Sequence, residues 1–387
     1  MLLSDTFFDN LTYLTQDSRY DLACGTCGEG RRRIHSQQWL YPVAMPDGRT
    51  QWMLKVLMNN TCSKRCRYCS FGSHMNQRPA RLDPEELAFF FAQLVRQRKA
   101  SALFLSSAIS DTPVRIMDDI LRCAWLVRKK YHFRGYLHVK LIPGIEADQV
   151  LAALKLADRV SVNLEAVDEK HLQVVAPEKA FQADLLRLLL DVQRFFETTE
   201  NLVCRGATTQ IVVGPAQETD REILEFMRNC YTQWHLRRVY YSAHVPLPGT
   251  PLESSPPVPL WRENRLYQAD WLVRFYGFSF DEIPTDSTGF LHKDADPKTV
   301  WAHLHPEFFP LEINRAPAHF LMRVPGIGPQ AARRIIEARR IQKLRDVRDL
   351  TPFRVSVRRA APWLLFDGKR PMRRFTQLSF EFDDSLQ

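Results

Sequence analysis

Cys62-Ser63-Lys64-Arg65-Cys66-Arg67-Tyr68-Cys69 sets three thiols within eight positions, spaced C-x3-C-x2-C, with an aromatic residue just before the third. The stretch follows an apolar run, residues 52–58, that reads as a β-strand. Thiolates ligate iron–sulfur clusters and zinc alike, so residue type alone does not choose the metal. Count and spacing say more. Three close thiolates can hold three irons of a cubane and leave the fourth open, whereas a closed structural zinc site needs four protein ligands. The alternative is a zinc knuckle completed by Cys24 or Cys27, although zinc sites usually present paired C-x2-C units rather than one pair and a triplet.

Working outward, short β-branched or apolar runs alternate with longer amphipathic stretches from about Trp52 to Trp271. This is the pattern of an α/β protein built from repeated βα units on a parallel sheet. Six strands are expected, at 52–58, 102–107, 135–141, 159–165, 208–214 and 238–244. The first intervening helix is the clearest: Asp83 is a good N-cap, Pro84 opens the helix, and Leu87, Phe90, Phe91, Leu94 and Val95 recur with helical spacing. Periodicity does not separate an open doubly wound sheet from a partial or complete barrel. Both place chemistry at the C-terminal ends of the strands, and the cysteine loop occupies such a position.

The C-x3-C-x-aromatic-C motif after a first strand resembles the signature of the radical S-adenosylmethionine (SAM) superfamily. The resemblance implies a partial (β/α)6 barrel of TIM type and a [4Fe-4S] cluster on Cys62, Cys66 and Cys69. It also implies SAM chelated to the open iron, cleavage to a 5′-deoxyadenosyl radical, and an electron donor such as flavodoxin or ferredoxin. Tyr68 is then expected beside the cofactor. Ser106-Ser107 stands where family members commonly carry a Gly-Gly-Glu-like motif for the methionyl ammonium, and departs from it. Asn163 and Glu165 alternate with Val162 and Leu164, which would point both polar side chains to one face and suits the ribose hydroxyls or a lumenal hydrogen-bond network. Lys140 is a candidate for the cofactor carboxylate or a substrate phosphate, or a solvated rim residue. Gly214 and Glu218 loosely match the family's G-x-I-x-G-x-x-E, and His244 ends the sixth strand as a candidate catalytic group or a structural imidazole.

The other cysteines are read separately. Cys24 and Cys27 form a lone C-x2-C suited to a second metal, to a redox pair or to neither, while Cys123, Cys204 and Cys230 are isolated and read as buried small apolar residues. Eight cysteines in 387 residues are too sparse for a disulfide scaffold, which favours metal binding in a reducing compartment. The start of the chain has no signal-peptide pattern and no apolar run approaches the ~20 residues that cross a bilayer. A soluble cytoplasmic protein without a membrane partner is expected.

Charge points to a second function. The formal net charge is +9, with Arg323, Arg333, Arg334, Arg339, Arg340, Arg345, Arg348, Arg354, Arg358 and Arg359 crowded late in the chain. They surround Val324-Pro325-Gly326-Ile327-Gly328, which with its flanks resembles the helix-hairpin-helix motif of DNA repair enzymes, polymerases and ligases. In such a hairpin the glycines permit a tight turn near a ligand, and orphan amides at the next helix N-terminus bind phosphate without reading sequence. Pro325, Gly326, Ile327 and Gly328, flanked by Arg333 and Arg334, are the candidate nucleic-acid contacts, with Ala332 and Ile335 packing the helices together. Residues 350–360 read as a degenerate second hairpin lacking glycines. Double-stranded DNA bound without sequence preference is the expected partner; docking of a protein partner is the rival.

The expected organisation is an N-terminal extension 1–50, a core 51–280, a linker 281–317, an all-α hairpin module 318–368 and a tail 369–387 read as a strand or a docked segment. Taken whole, with Tyr20-Asp21 and the proline-rich 246–252, the chain resembles the radical SAM family assigned to DNA modification or repair. That resemblance implies chemistry on a base or sugar of DNA or RNA. The alternatives are radical chemistry on a protein or small molecule, or a metal protein that only binds nucleic acid.

Overall fold

The structure, a computed structural model, describes residues 2–17, 39–44, 50–110 and 112–371. Tyr20, Asp21, Cys24 and Cys27 and the tail beyond residue 371 lie outside the described residues. In chain order come α1 (Asp5–Asp17), β1 (Leu40–Ala44), β2 (Thr50–Leu57), α2 (Pro84–Arg96), β3 (Ala102–Ser106), α3 (Pro113–Trp125), β4 (Tyr136–Lys140) and α4 (Ala147–Leu156). Then follow β5 (Arg159–Ser161), α5 (Glu169–Val175), α6 (Arg187–Thr198), β6 (Ala207–Val213), α7 (Asp220–Thr232) and β7 (Arg238–Ala243). The chain forms two compact units, the first of Met1–Glu218 with Phe226–Val258, the second of Thr219–Glu225 with Pro259–Gln387.

One seven-stranded sheet runs in the order β1-β2-β3-β4-β5-β6-β7. The six strands expected from sequence are β2 to β7, all parallel to one another. Their sequential order decides the architecture. A doubly wound sheet reverses direction part-way, whereas right-handed crossovers that always step the same way keep their helices on one face and curl the sheet. The result is a half-barrel with β1 and β7 at its ends. β3 and β6 are buried along their whole lengths, as strands covered on both faces are. Asp83 accepts from Glu85 N and Glu86 N and caps α2, whose Leu87, Phe90, Phe91 and Leu94 face the core.

Two elements lie within the expected N-terminal extension, residues 1–50. β1 pairs antiparallel with β2, Leu40 opposite Leu54 and Ala44 opposite Thr50. α1 buries Phe7, Leu11 and Leu14 at helical spacing, and Tyr41 Oη donates to Thr15 O at 2.6 Å, joining it to the new edge.

The second unit carries α8 (Leu260–Tyr276), α9 (Pro297–Leu304), β8 (Leu311–Glu312), α10 (Ala318–Leu321), α11 (Pro329–Ile341), α12 (Val357–Ala360) and β9 (Leu364–Leu365). Residues 281–317, read from sequence as linker, hold α9 and β8, and 259–280 group with this unit rather than with the sheet. Asp296 caps α9 through Thr299 N. Ile313 and Ala316 join Leu321, Val324, Ile327, Ala332, Ile335, Leu350 and Ala360 in one apolar core. Proline spacing hid this, because short helices opened by Pro297 and Pro306 resemble loop in a pattern search. Among the described residues no helix is long and apolar enough to cross a membrane.

Candidate cluster and cofactor site

The cysteine loop leaves β2 and is fastened by elements far apart in sequence. Met58 N donates to Ser106 O at 2.8 Å, Ser63 N to Ile109 O at 2.8 Å, and Arg67 N to Val175 O at 2.8 Å. Leu252 N, from the proline-rich segment after β7, donates to Arg67 O at 3.3 Å. Two buried amides tie the loop's base. Asn59 Oδ1 accepts from Thr61 N at 3.0 Å, while Asn60 Oδ1 accepts from Ala80 N at 2.8 Å and its Nδ2 donates to Arg78 O at 2.9 Å. Sequence reasoning missed both. The available signal was a pair of amides at the end of an apolar strand, where two buried polar groups need partners.

All three thiols are free, Cys66 buried and Cys62 and Cys69 half-buried. Burial raises the Cys66 thiol, against the Lys179 charge, and pushes Cys69 up to about 12 with the charge of Cys66 adding to it. Phe71 N donates to Cys69 Sγ at 3.4 Å. Among the described residues no three His, Cys, Asp or Glu side chains already converge as a metal shell does. The fit to a three-thiolate cluster therefore lies in the donor set: three thiols on one fastened loop, with the Phe71 N–H supplied to the Cys69 sulfur.

Behind the loop sits a buried ionic network. Tyr68 Oη donates to Glu165 Oε2 at 2.6 Å, and Lys179 Nζ donates to Glu165 Oε1 at 2.9 Å, with both members of the ion pair only 6% exposed. Burial alone would raise the Glu165 carboxyl; Lys179, Lys140 and the Tyr68 hydroxyl outweigh it and hold the group low. Burial, then Glu165, raises Tyr68 well above its ordinary range. Lys179 was not singled out from sequence, because a lysine after a predicted helix resembles any solvated one.

Glu165 reaches this position by leaving the strand. β5 ends at Ser161, and Glu165 has φ +65°, a left-handed conformation that costs a non-glycine residue about 1–3 kcal/mol. Glu165 N to Gln210 O at 3.1 Å and Val212 N to Glu165 O at 2.9 Å hold it there. The regular alternation expected for residues 162–165 is thus broken: Glu165 is buried in the network while Asn163 is half-buried.

The remaining candidates stand at the same sheet edge. Ser106 is fully buried, and Ser107 Oγ donates to Asn59 O at 3.4 Å. Lys140 ends β4, half-buried, within electrostatic reach of Glu165. Glu218 folds back to accept from Gly214 N. His244 Nε2 shares a 2.7 Å hydrogen bond with Ser255 Oγ, which also donates to Leu252 O at 2.6 Å, so the imidazole braces the segment that touches the cysteine loop. Burial lowers its pKa. Cys123, Cys204 and Cys230 are buried single thiols.

In the second unit, α10, the 322–328 turn and α11 form a hairpin, and a 3-10 helix (Val347–Phe353) with α12 forms another. Arg354, at φ +59°, takes the left-handed position that the second hairpin lacks a glycine to fill. Gly326, at φ +88°, is crowded by the chain itself: a Cβ there would stand 2.7 Å from Ser356 O and 3.3 Å from Ala360 N. Pro325 and Ile327 are buried, Gly326 and Gly328 half-buried, Arg333 exposed and paired with Glu337 at 2.9 Å, and Arg334 half-buried. Lys298 Nζ donates to Ile327 O at 2.5 Å from beneath, and burial brings its pKa down to about 7.

The arginine run divides on inspection. Arg323 pairs with Glu282 at 2.8 Å and stacks on Phe278 and Trp301, Arg339 donates to Ile313 O and Ala316 O at 2.7 Å each, and Arg359 reaches Asp296 at 2.5 Å. These three serve the fold. Arg340, Arg345, Arg348, Arg354 and Arg358 are exposed.

Compared with known families, residues 56–230 match the model of the radical SAM superfamily. The chain carries a radical SAM domain. Residues 310–355 match a helix-hairpin-helix model. A [4Fe-4S] cluster and SAM are the cofactors of the radical SAM superfamily. No curated protein matches the sequence. Methylornithine synthase is a similar solved structure, 14% identical, with 51% of this chain and 54% of that chain covered at a TM-score of 0.42. The hydrogenase maturase HydG from Carboxydothermus hydrogenoformans is 15% identical over 56% and 50% at 0.45. The methyltransferase TsrM from Kitasatospora setae is 14% identical over 51% and 35% at 0.38. The chain spans about half or less of the length of these structures.

Proposed function

We propose that this radical SAM enzyme modifies or repairs DNA or RNA held without sequence preference by its helix-hairpin-helix motif. The observation that carries the reading is the pairing, in one chain, of the Cys62–Cys66–Cys69 loop with two hairpins that leave seven arginines of the late run exposed. When bound, the cluster and SAM supply one electron and a sulfonium bond whose cleavage yields methionine and a 5′-deoxyadenosyl radical that takes a hydrogen from the substrate.

The chain's own residues prepare for this. Cys62, Cys66 and Cys69 would hold three irons, and Asn59 and Asn60 keep their loop in place. Tyr68, Ser106, Ser107, Lys140, Asn163 and Glu165 are the candidates around the cofactor, of which Tyr68 and Glu165 already engage one another. Amides at the start of α11 and the arginines beside them would meet phosphate oxygens, a contact that positions a duplex without reading bases. A one-electron donor such as flavodoxin or ferredoxin and a cytoplasmic location belong to the same proposal.

Two measurements test it. Anaerobic reconstitution with iron, sulfide, reductant and SAM should release 5′-deoxyadenosine, and Cys62→Ala, Cys66→Ala or Cys69→Ala should abolish it. Affinity for duplex DNA should fall as salt rises, with Arg333→Glu plus Arg334→Glu lowering the logarithmic slope by roughly 2. Salt-independent binding, or an unchanged slope, sinks the nucleic-acid half and favours a protein partner for the hairpins. Nucleoside mass spectrometry of cells with and without the protein would then name the substrate.

A further inference from the structure

Lys179 stands out because the chain buries its ammonium at evident cost. A buried charge costs several kcal/mol unless it is paired and hydrogen-bonded, and truncating one partner of such a pair is strongly destabilising. Lys179 is held at 2.9 Å by Glu165, and Glu165 is kept in place by Tyr68 at 2.6 Å and by its strained left-handed backbone. An ion pair for stability alone could lie anywhere in the core. This one lies beside the cysteine loop: Tyr68, between Cys66 and Cys69, hydrogen-bonds Glu165, and the Lys179 charge is felt at Cys66. Glu165 has its two carboxylate oxygens engaged by two donors, Tyr68 and Lys179.

We propose that Lys179 is a positioning residue that sets the reduction potential of the cluster on Cys62, Cys66 and Cys69, its fixed positive charge beside the loop stabilising the added electron. The inference rests on the cluster reading above. Hydrogen bonds to the sulfurs, local net charge and solvent exposure are the levers by which a protein tunes an iron–sulfur centre. Here the lever is local charge: a buried cation held beside the cysteine loop. Glu165 moderates the effect by opposing part of that charge. Because the reduction is one-electron transfer from an external low-potential donor, the electron enters the cluster and no covalent bond of Lys179 changes.

The test is a redox titration of anaerobically reconstituted full-length protein, followed by the electron paramagnetic resonance signal of the reduced cluster, with iron content measured in parallel. Lys179→Met should lower the ratio of reduced to oxidised cluster at fixed ambient potential at least tenfold, a shift of about 59 mV for one electron. Glu165→Gln should raise that ratio, because the ammonium then acts unopposed. Opposite signs are the signature of charge, since loosened packing would move both variants the same way. Should Lys179→Met fail to hold iron, Lys179→Arg, which keeps the charge, and Glu165→Gln still decide: the first should stay within threefold of wild type and the second should rise. An unchanged ratio in Glu165→Gln, or equal signs in both variants, overturns the proposal. Wild-type protein that assembles no cluster overturns the cluster reading instead, so the two failures are distinguishable.

Discussion

Gly326→Ala is the most direct test of what the first hairpin's glycine is for. Two costs add at this position. A φ of +88° is a left-handed conformation that an alanine pays for with about 1–2 kcal/mol, and the new Cβ would stand 2.7 Å from Ser356 O and 3.1 Å from Arg359 Cβ. Ser356 O is backbone, fixed further by the 3.1 Å bond from Ser356 N to Gly326 O, so the clash cannot be relieved by turning a side chain. Overpacking of this kind costs about 1–3 kcal/mol more. Gly277, the left-handed cap of α8 at φ +73°, provides the control, since a Cβ there meets nothing within 4 Å. Gly277→Ala should therefore cost about 1–2 kcal/mol and Gly326→Ala about 2–5 kcal/mol. Amide hydrogen exchange is the suitable assay, because a chain of two units need not unfold in one step. Protection across 318–366 should fall by at least about fivefold more in Gly326→Ala than protection around α8 falls in Gly277→Ala, the factor that about 1 kcal/mol of overpacking gives. Equal losses would refute the reasoning and return this glycine to a role in ligand approach alone.

Other substitutions probe the remaining contacts. Tyr68→Phe removes one of two donors to the buried Glu165 carboxylate and should cost about 1.5–3 kcal/mol of thermal stability in the first unit, visible as a lower unfolding midpoint. Asp220 accepts from Arg262 Nε at 2.7 Å and from Leu291 N at 2.8 Å while fully buried, so Asp220→Ala should destabilise the second unit by about 3–5 kcal/mol in denaturant titrations. Lys298 gives a pH signature. Its folded pKa, near 7, lies below the unfolded value, so between pH 7 and about 10 the unfolded chain binds the extra proton and folding is favoured as pH rises, by up to about 1.4 kcal/mol per pH unit. Lys298→Met should remove that slope; a variant with the wild-type slope would show that burial does not lower the Lys298 pKa in the folded chain.

Much of this protein was legible in its residues. The cysteine triplet, the alternation of strand and helix, and Val324 to Gly328 each depend on spacing within a few residues, where local geometry and sequence are nearly the same thing. Asp83, Pro84 and the apolar stripe of α2 are of this kind. Only the tertiary structure decided that the strands follow one another in sequential order and curl, that β1 and α1 complete the sheet's edge, and that residues 281–317 belong to a packed unit. It alone brought Lys179 to Glu165 and Tyr68, and Ser356 to Gly326. The physical reason is common to all of these. Pairing across tens of residues is set by the summed burial of faces and by the need of every buried charge and amide for a partner, and neither quantity is written in the neighbourhood of any one residue.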